Sequence, residues 1–240
     1  MHSINNYKDR YLGKRCFILG NGPSLNKTDV LKLKNEITFG VNSIFLMTRT
    51  NGFKPTFYVV EDNLVFKDNF QDIDDYSGVN KLMPIHYAKQ LSNKDDVYVF
   101  NMDQEYYNQS KKERFAVPFF NEESSDVFYC GQSVTYINMQ LAYYMGFSEV
   151  YLIGMDFSYS IPPGHTQAGN HIKSDADDAN HFHKDYFGKG KTWKDPRLGR
   201  VLRSYHRAKF AFESDGRVIL NATPGGELEL FKRVDFNEVV

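Results

Sequence analysis

The chain reads as an α/β protein, a Rossmann-like three-layer sandwich in which helices cover both faces of a mostly parallel sheet of about seven strands. Two observations carry that expectation. Short apolar runs alternate with helix-periodic segments along the chain. Most of those runs then end in small or polar residues, as strands do when their carboxyl ends frame a crevice. At 240 residues, with 41% hydrophobic and 15% aromatic side chains, there is enough material for one domain and a ring-rich core. We therefore expect a single domain over 1–240, with a lid at 157–195.

Strands are predicted near 15–19, 37–41, 56–60, 81–85, 97–101, 149–153 and 217–221. The spacing of Val134, Ile137, Leu141 and Met145 predicts a helix over 133–145, capped by Ser133 and closed by Gly146. A second helix is predicted over 196–213. Asp195 is its expected cap, Pro196 its first turn, and Leu198, Val201, Leu202, Tyr205 and Phe212 its apolar face. Residues 157–195 hold Pro162-Pro163-Gly164, five acids and four of the seven histidines. An irregular stretch of that length is expected to be a lid, here one containing a short helix.

Composition excludes several classes. The net charge of −1 gives no global reason to bind nucleic acid. Two cysteines, Cys16 and Cys130, do not make a disulfide framework. Cys16 sits in an apolar strand and suggests a reduced, cytoplasmic protein. The first residues lack a signal-peptide pattern and no apolar run is long enough to span a bilayer. Membrane contact, if any, is then peripheral, at the inner face. Residues 184–217 carry ten Lys or Arg against four acids. The plain reading is a solvated helix face; the sharper one is a wall around Arg200 and Arg203 for phosphate or an acidic group. Exposed Phe and Tyr in 101–130 are compatible with a homo-oligomer.

The strand ends hold the candidate site. The first strand breaks into Gly20-Asn21-Gly22-Pro23-Ser24, where glycines permit positive φ and close approach to the backbone. The second ends in Asn42, the third in Glu61 and Asp62, the sixth in Gly154-Met155-Asp156 and the last in Asn221. In a parallel sheet these ends share one rim. Asparagine both donates and accepts, which suits sugar hydroxyls and base edges. Each is equally suited to a local turn. Gly131-Gln132-Ser133 adds amides and a hydroxyl at a helix start. Asp156 is the foremost acid: a candidate base, hydroxyl acceptor or cation ligand. His181 and His183 are candidate general bases; a zinc site lacks cysteines or an i,i+4 histidine pair. Asp72-Ile73-Asp74 and Asp175-Ala176-Asp177 are read as solvated charges.

Taken in order, the segments at 17–25, 40–45, 131–134, 151–157 and 220–226 (FILGNGPSL, GVNSIF, GQSV, YLIGMDF and LNATPGG) resemble the MptE-like family. That family is named for an archaeal 6-hydroxymethylpterin diphosphokinase. It is similar to the core of the Maf flagellin glycosyltransferases and to small bacterial lipooligosaccharide sialyltransferases. In the sialyltransferase branch the resemblance places the CMP part of the donor on Gly20–Leu25 and Asn42. Gly131–Ser133 assists there, Asp156 lies near the donor, and a lid histidine is the base. Two tyrosines help the phosphate leave in those enzymes; here Ser158 replaces the first and Tyr159 follows. That mechanism needs no metal or other cofactor. The diphosphokinase branch implies ATP and magnesium, with Glu61, Asp62 or Asp156 as ligands, although no P-loop is present.

The expected function is transfer of a sugar, CMP-activated and acidic, to a glycan or lipid-linked acceptor in surface polysaccharide assembly. The alternatives are a magnesium-dependent pyrophosphokinase acting on a hydroxymethylpterin-like substrate, and a non-catalytic nucleotide- or glycan-binding domain.

Overall fold

The structure is a computed structural model that describes residues 1–107, 118–123, 125–160, 166–169 and 171–240. His165 and Pro162-Pro163-Gly164 lie outside the described residues, as does part of the 101–130 stretch. Twelve strands occur among the described residues: β1 (His2–Ser3), β2 (Arg15–Leu19), β3 (Thr38–Val41), β4 (Phe57–Val59), β5 (Asn80–Pro84), β6 (Val97–Asp103), β7 (Val127–Tyr129), β8 (Glu149–Ile153), β9 (Thr166–Ala168), β10 (His171–Lys173), β11 (Thr192–Lys194) and β12 (Val218–Asn221). The helices are α1 (Phe45–Asn51), α2 (Asn63–Asp68), α3 (Phe70–Asp75), α4 (Ile85–Ala88), α5 (Val134–Tyr144) and α6 (Leu198–Ser214).

Nine strands make the main sheet, in the order β1-β6-β5-β4-β3-β2-β8-β12, with β7 pairing β6. Every pairing in it is parallel. All seven expected strands are present. The two additions, β1 and β7, are too short to carry a sequence period.

Alternation along the strands sorts their side chains to two faces. Cys16 and Ile18 of β2, with Val150 and Leu152 of β8, pack under α5 and α6. Phe17, Leu19, Tyr151 and Ile153 face the other way, toward α1 and α2. A sheet buried on both sides needs continuous apolar strands, which is what these segments show. Cys16 and Cys130 are buried free thiols. Burial pushes both up, well away from thiolate formation at neutral pH.

Ser133 caps α5, its hydroxyl accepting from the Thr135 amide at 3.3 Å, and Gly146 ends it at φ +89°. The start of α6 departs from expectation. Asp195 accepts from the Arg197 amide at 3.1 Å, but Arg197 is left-handed at φ 48°. The helix therefore begins at Leu198, beyond Pro196. The expected short helix in 157–195 is also absent among the described residues. In its place is an antiparallel sheet, order β11-β10-β9. β10 and β11 alternate outward and inward, burying Ile172 and Trp193. No helix among the described residues is long and apolar enough to cross a membrane.

Candidate functional site

In the strand order, the chain runs from β2 outward through β3 on one side, while β8 lies on the other. That reversal leaves a crevice beyond the carboxyl ends of β2 and β8. A cleft of about 620 Å³ opens there. Gly20, Asn21, Gly22, Asn42, Glu61, Asp62, Gln132, Ser133, Gly154, Asp156, Tyr159 and His181 all line it. Twelve candidate residues from six chain segments are thus brought to one hollow.

The Gly-Asn-Gly turn is shaped by close approach, and Gly20 and Gly22 do not use positive φ. A Cβ on Gly20 would lie 2.5 Å from the Gly154 carbonyl oxygen, and one on Gly22 1.9 Å from Asp156 Oδ2. The turn is fastened to the end of β8. The Gly20 and Gly22 amides donate to the Ile153 and Gly154 carbonyls at 2.7 and 3.0 Å. Ser24 donates from its hydroxyl to Asp156 Oδ2 at 2.6 Å and from its amide at 3.2 Å to Oδ1. Those three amides are therefore already engaged within the protein. Asp156 serves as the clamp. The residue expected as a base, hydroxyl acceptor or cation ligand thus holds the turn in place through Ser24 while lining the cleft. Pro23 and Ser24 open a short 3-10 helix and do not line the cleft.

What the turn does offer is acceptors. Asn21 Nδ2 donates to the Val41 carbonyl at 3.0 Å and to the Tyr186 hydroxyl at 2.8 Å. Among the described residues its Oδ1 is buried without a partner, and so is Asn42 Oδ1. Asn42 is itself left-handed, φ 49°, a conformation Asn tolerates better than most residues. Two orphan carbonyl oxygens in one cleft are costly unless a ligand donates to them.

The amino end of α5 forms a further wall, through Gln132, Ser133, Val134 and Thr135. A helix start carries partial positive charge and suits an anion. Ser133 Oγ lies 3.2 Å from the Tyr205 hydroxyl. Gly131 lies behind this wall, its carbonyl accepting from Ser204 Oγ at 2.9 Å.

The 157–195 segment closes the opposite side. It docks on the turn: the Phe182 amide donates to the Asn21 carbonyl at 2.8 Å, and Asn26 Nδ2 to the Phe182 carbonyl at 2.9 Å. Lys194 Nζ reaches Asp62 Oδ2 at 3.1 Å and Asn63 Oδ1 at 2.8 Å. Asp62 also caps α2, accepting from the Leu64 and Val65 amides. We expect Lys194→Met to loosen this segment by about 1 kcal/mol or less, given the pair's partial exposure. Faster hydrogen exchange across 180–194, with little change in melting temperature, checks this.

The two histidines part here. His181 Nδ1 lies 2.7 Å from Asp178 Oδ2, with both side chains almost fully buried. Its ring stacks on Tyr186, centroids 4.0 Å apart. Nδ1–H donation to the carboxylate makes Nε2 the basic nitrogen. Burial alone would raise the Asp178 carboxyl. Hydrogen bonds from His181 and the Asn180 and Phe187 amides, with the charge of His181, outweigh burial and hold it below the usual range. His183 is not a cleft residue: its Nδ1 accepts from the Asp185 amide at 3.2 Å near the surface. Sequence reasoning missed Asp178. Its only signal is the i,i+3 spacing to His181, which was hidden beside Asp175-Ala176-Asp177.

Three further candidates lie outside the cleft lining. Asn221 is fully buried away from the cleft, tying down the 222–228 loop through the Thr223 amide and Leu228 carbonyl. Arg200 stacks over the Tyr106 ring and donates to the Tyr106 carbonyl. Arg203 is exposed and is not a cleft residue. Arg207 pairs with Glu122. Of the basic stripe, Arg197 reaches the cleft, joined by Lys194.

Glu61 is 4% exposed. Burial pushes its carboxyl up to about 7, opposed by the Tyr107 hydroxyl and Lys194 and reinforced by Asp62. The folded protein then holds this proton more tightly than the unfolded chain. Its contribution to stability is fully present below pH 4.5 and is lost as pH rises through about 7. We expect Glu61→Gln to flatten the fall in stability across that window, on the order of 3 kcal/mol at most. Urea unfolding at pH 5 and pH 8 measures it.

This architecture defines an α/β protein with a ligand cleft at the switch point of its sheet. The family model described as 6-hydroxymethylpterin diphosphokinase MptE-like matches residues 1–162, and the chain belongs to the MptE-like family. No curated protein matches the sequence. Among solved structures, a Maf glycosyltransferase from Magnetospirillum magneticum AMB-1 is similar over 97% of this chain, with a TM-score of 0.54 and 14% identity. The match spans 37% of that longer protein. The sialyltransferase CstII from Campylobacter jejuni is similar in two complexes. With cytidine-5'-monophosphate the TM-score is 0.44 at 16% identity, over 91% of this chain and 84% of that one. With CMP-3FNeuAc it is 0.46 at 17%, over 93% and 87%. The α/β fold is thus shared with a glycosyltransferase.

Proposed function

We propose that this protein is a glycosyltransferase that uses a nucleotide-activated sugar, CMP-linked and acidic, to glycosylate a hydroxyl of a glycan or lipid-linked acceptor. The observation that carries the proposal is His181, backed by Asp178, in the same cleft as the orphan oxygens of Asn21 and Asn42. The orphan acceptors suit the amino group and ribose hydroxyls of a nucleoside. The start of α5 and Arg197 suit its phosphate. His181 Nε2 takes the proton of the acceptor hydroxyl as that oxygen attacks the anomeric carbon. The new C–O bond forms as the bond to the phosphate breaks, and the phosphate leaves with the electron pair. Asp178 stabilises the resulting imidazolium. Peripheral work at the inner face of a membrane fits a lipid-linked acceptor.

The family's description favours a second reading, pyrophosphate transfer from ATP to a hydroxymethylpterin-like substrate. That chemistry draws on magnesium. Asp62 is engaged with a helix cap and Lys194, Asp156 with Ser24, and Glu61 with Tyr107. Among the described residues no group of three or more His, Cys, Asp or Glu is placed to hold a metal. A magnesium–nucleotide complex here would draw its ligands from these held carboxylates and from the substrate's own phosphates.

Thermal shifts with CMP, UDP, ATP and 6-hydroxymethylpterin, each with and without magnesium, separate the readings. The glycosyltransferase reading expects metal-independent stabilisation by cytidine nucleotides, about 2.7 kcal/mol at a hundredfold excess over Kd. Stabilisation by ATP with magnesium and none by CMP overturns it.

A further inference from the structure

The cleft continues past Asn42 to the carboxyl ends of β4, β5 and β6. Glu61, Asn63, His86, Tyr87, Gln104 and Tyr107 line this end. Its chemistry differs from that of the end at α5. Glu61 is almost fully buried, and its Oε1 accepts from the Tyr107 hydroxyl. Its Oε2 has no partner among the described residues. The backbone carbonyl of the same residue accepts from the Tyr87 hydroxyl at 3.1 Å, so its main chain is held by Tyr87 and its carboxylate by Tyr107. Glu61 Oε2 is not a closed-off orphan like the oxygens of Asn21 and Asn42; it stays open to the cleft, where it can accept from a bound hydroxyl. Asn63 and Gln104 add amides that donate and accept, and the two tyrosines add ring surface. Lys194 offers little attraction for an anion, because its ammonium is held by Asp62 and Asn63.

We infer that this end of the cleft is the acceptor compartment, and that Glu61 recognises an uncharged, polyhydroxylated acceptor by accepting a hydrogen bond from one of its hydroxyls. The inference rests on the glycosyltransferase reading and adds the acceptor's class to it. An acceptor carrying a carboxylate here meets Glu61, and among the described residues that line this end of the cleft no free cation offsets the repulsion. The groups that face Glu61 are Tyr107, Asp62, Lys194, Tyr87 and Cys130, with His86 next to Tyr87. Glu61 takes up its proton near neutrality, so the discrimination is strongest above pH 7 and weakens below it.

Methyl β-glucoside and methyl β-glucuronide differ by one carboxylate and serve as probes. Their affinities are measured by NMR titration of the wild-type chain at pH 8 and pH 6, then of Glu61→Gln. The wild type should prefer the glucoside by about tenfold at pH 8, a difference of about 1.4 kcal/mol. The preference should shrink toward parity at pH 6, and Glu61→Gln should show little preference at either pH. The wild-type pH comparison stands even if the variant folds poorly. Equal or tighter glucuronide binding at pH 8, or an unchanged preference in Glu61→Gln, overturns the inference. Metal-independent CMP binding without glycoside discrimination removes this inference and leaves the donor reading intact. Discrimination without CMP binding removes the donor reading alone.

Discussion

Replacing His181 with Ala should lower the rate of sugar transfer by about 10²- to 10⁴-fold, the usual contribution of a positioned general base. Donor binding should survive, because the donor contacts proposed here come from β2, β3 and α5. Asp178→Asn should lower the rate as well. An amide can donate to the imidazole where the carboxylate only accepts, which disturbs both tautomer and orientation. Rescue of the His181→Ala rate by added imidazole distinguishes lost proton transfer from lost structure. His183→Ala should change little, since its ring sits by Asp185 outside the cleft. The measurement is single-turnover transfer, with nucleotide-induced thermal shift as the check on binding. If His181→Ala retains full activity, the base has been assigned to the wrong group.

The second large effect is structural. A methyl group on Gly22 would sit 1.9 Å from Asp156 Oδ2 and 2.8 Å from the Gly154 carbonyl oxygen. Backbone is on one side and a hydrogen-bonded carboxylate on the other, so neither can move aside freely. Gly22→Ala should cost about 1–3 kcal/mol, as overpacked sites do. It should also break the contact of Ser24 with Asp156 and shift Asn21 within the cleft. Chemical unfolding gives the first effect and nucleotide affinity the second. Gly13→Ala is the control. Nothing lies within 4 Å of its Cβ, but its φ of +71° means it should cost only the conformational penalty. A Gly22→Ala protein with unchanged stability and binding would show that the turn does not shape the site.

The strands and their polar ends were legible because a doubly buried parallel strand must be continuously apolar, and Phe17–Leu19 or Val150–Ile153 have few other ways to fold. Asn21, Asn42 and Ser133 were legible for the same reason, since each directly follows a strand or opens a helix. Asn221 follows a strand too, yet its amide satisfies a local loop, and sequence cannot separate those uses of one side chain. Arg200 and Arg203 were misplaced because helical spacing gives a face but not what that face meets; Tyr106 covers Arg200 from a distant segment. The 157–195 segment was least legible. Its strands are three residues long, and the pairing of Asp178 with His181 depends on a turn held by the Asn180 and Phe187 amides. The glycines misled in one respect: Gly20 and Gly22 exist for close packing, while left-handed positions around the cleft include Asn42, Gln132, Gly154, Phe157 and Arg197.

The central claim is that the ends of β2 and β3, the start of α5 and Arg197 grip a nucleotide donor beneath the 180–187 segment. Hydrogen exchange of the full chain, with and without saturating CMP, tests it most directly. Protection confined to residues 20–24, 42, 132–135, 180–187 and 197 is the predicted result. Protection elsewhere, or none at a concentration where CMP demonstrably binds, would contradict it.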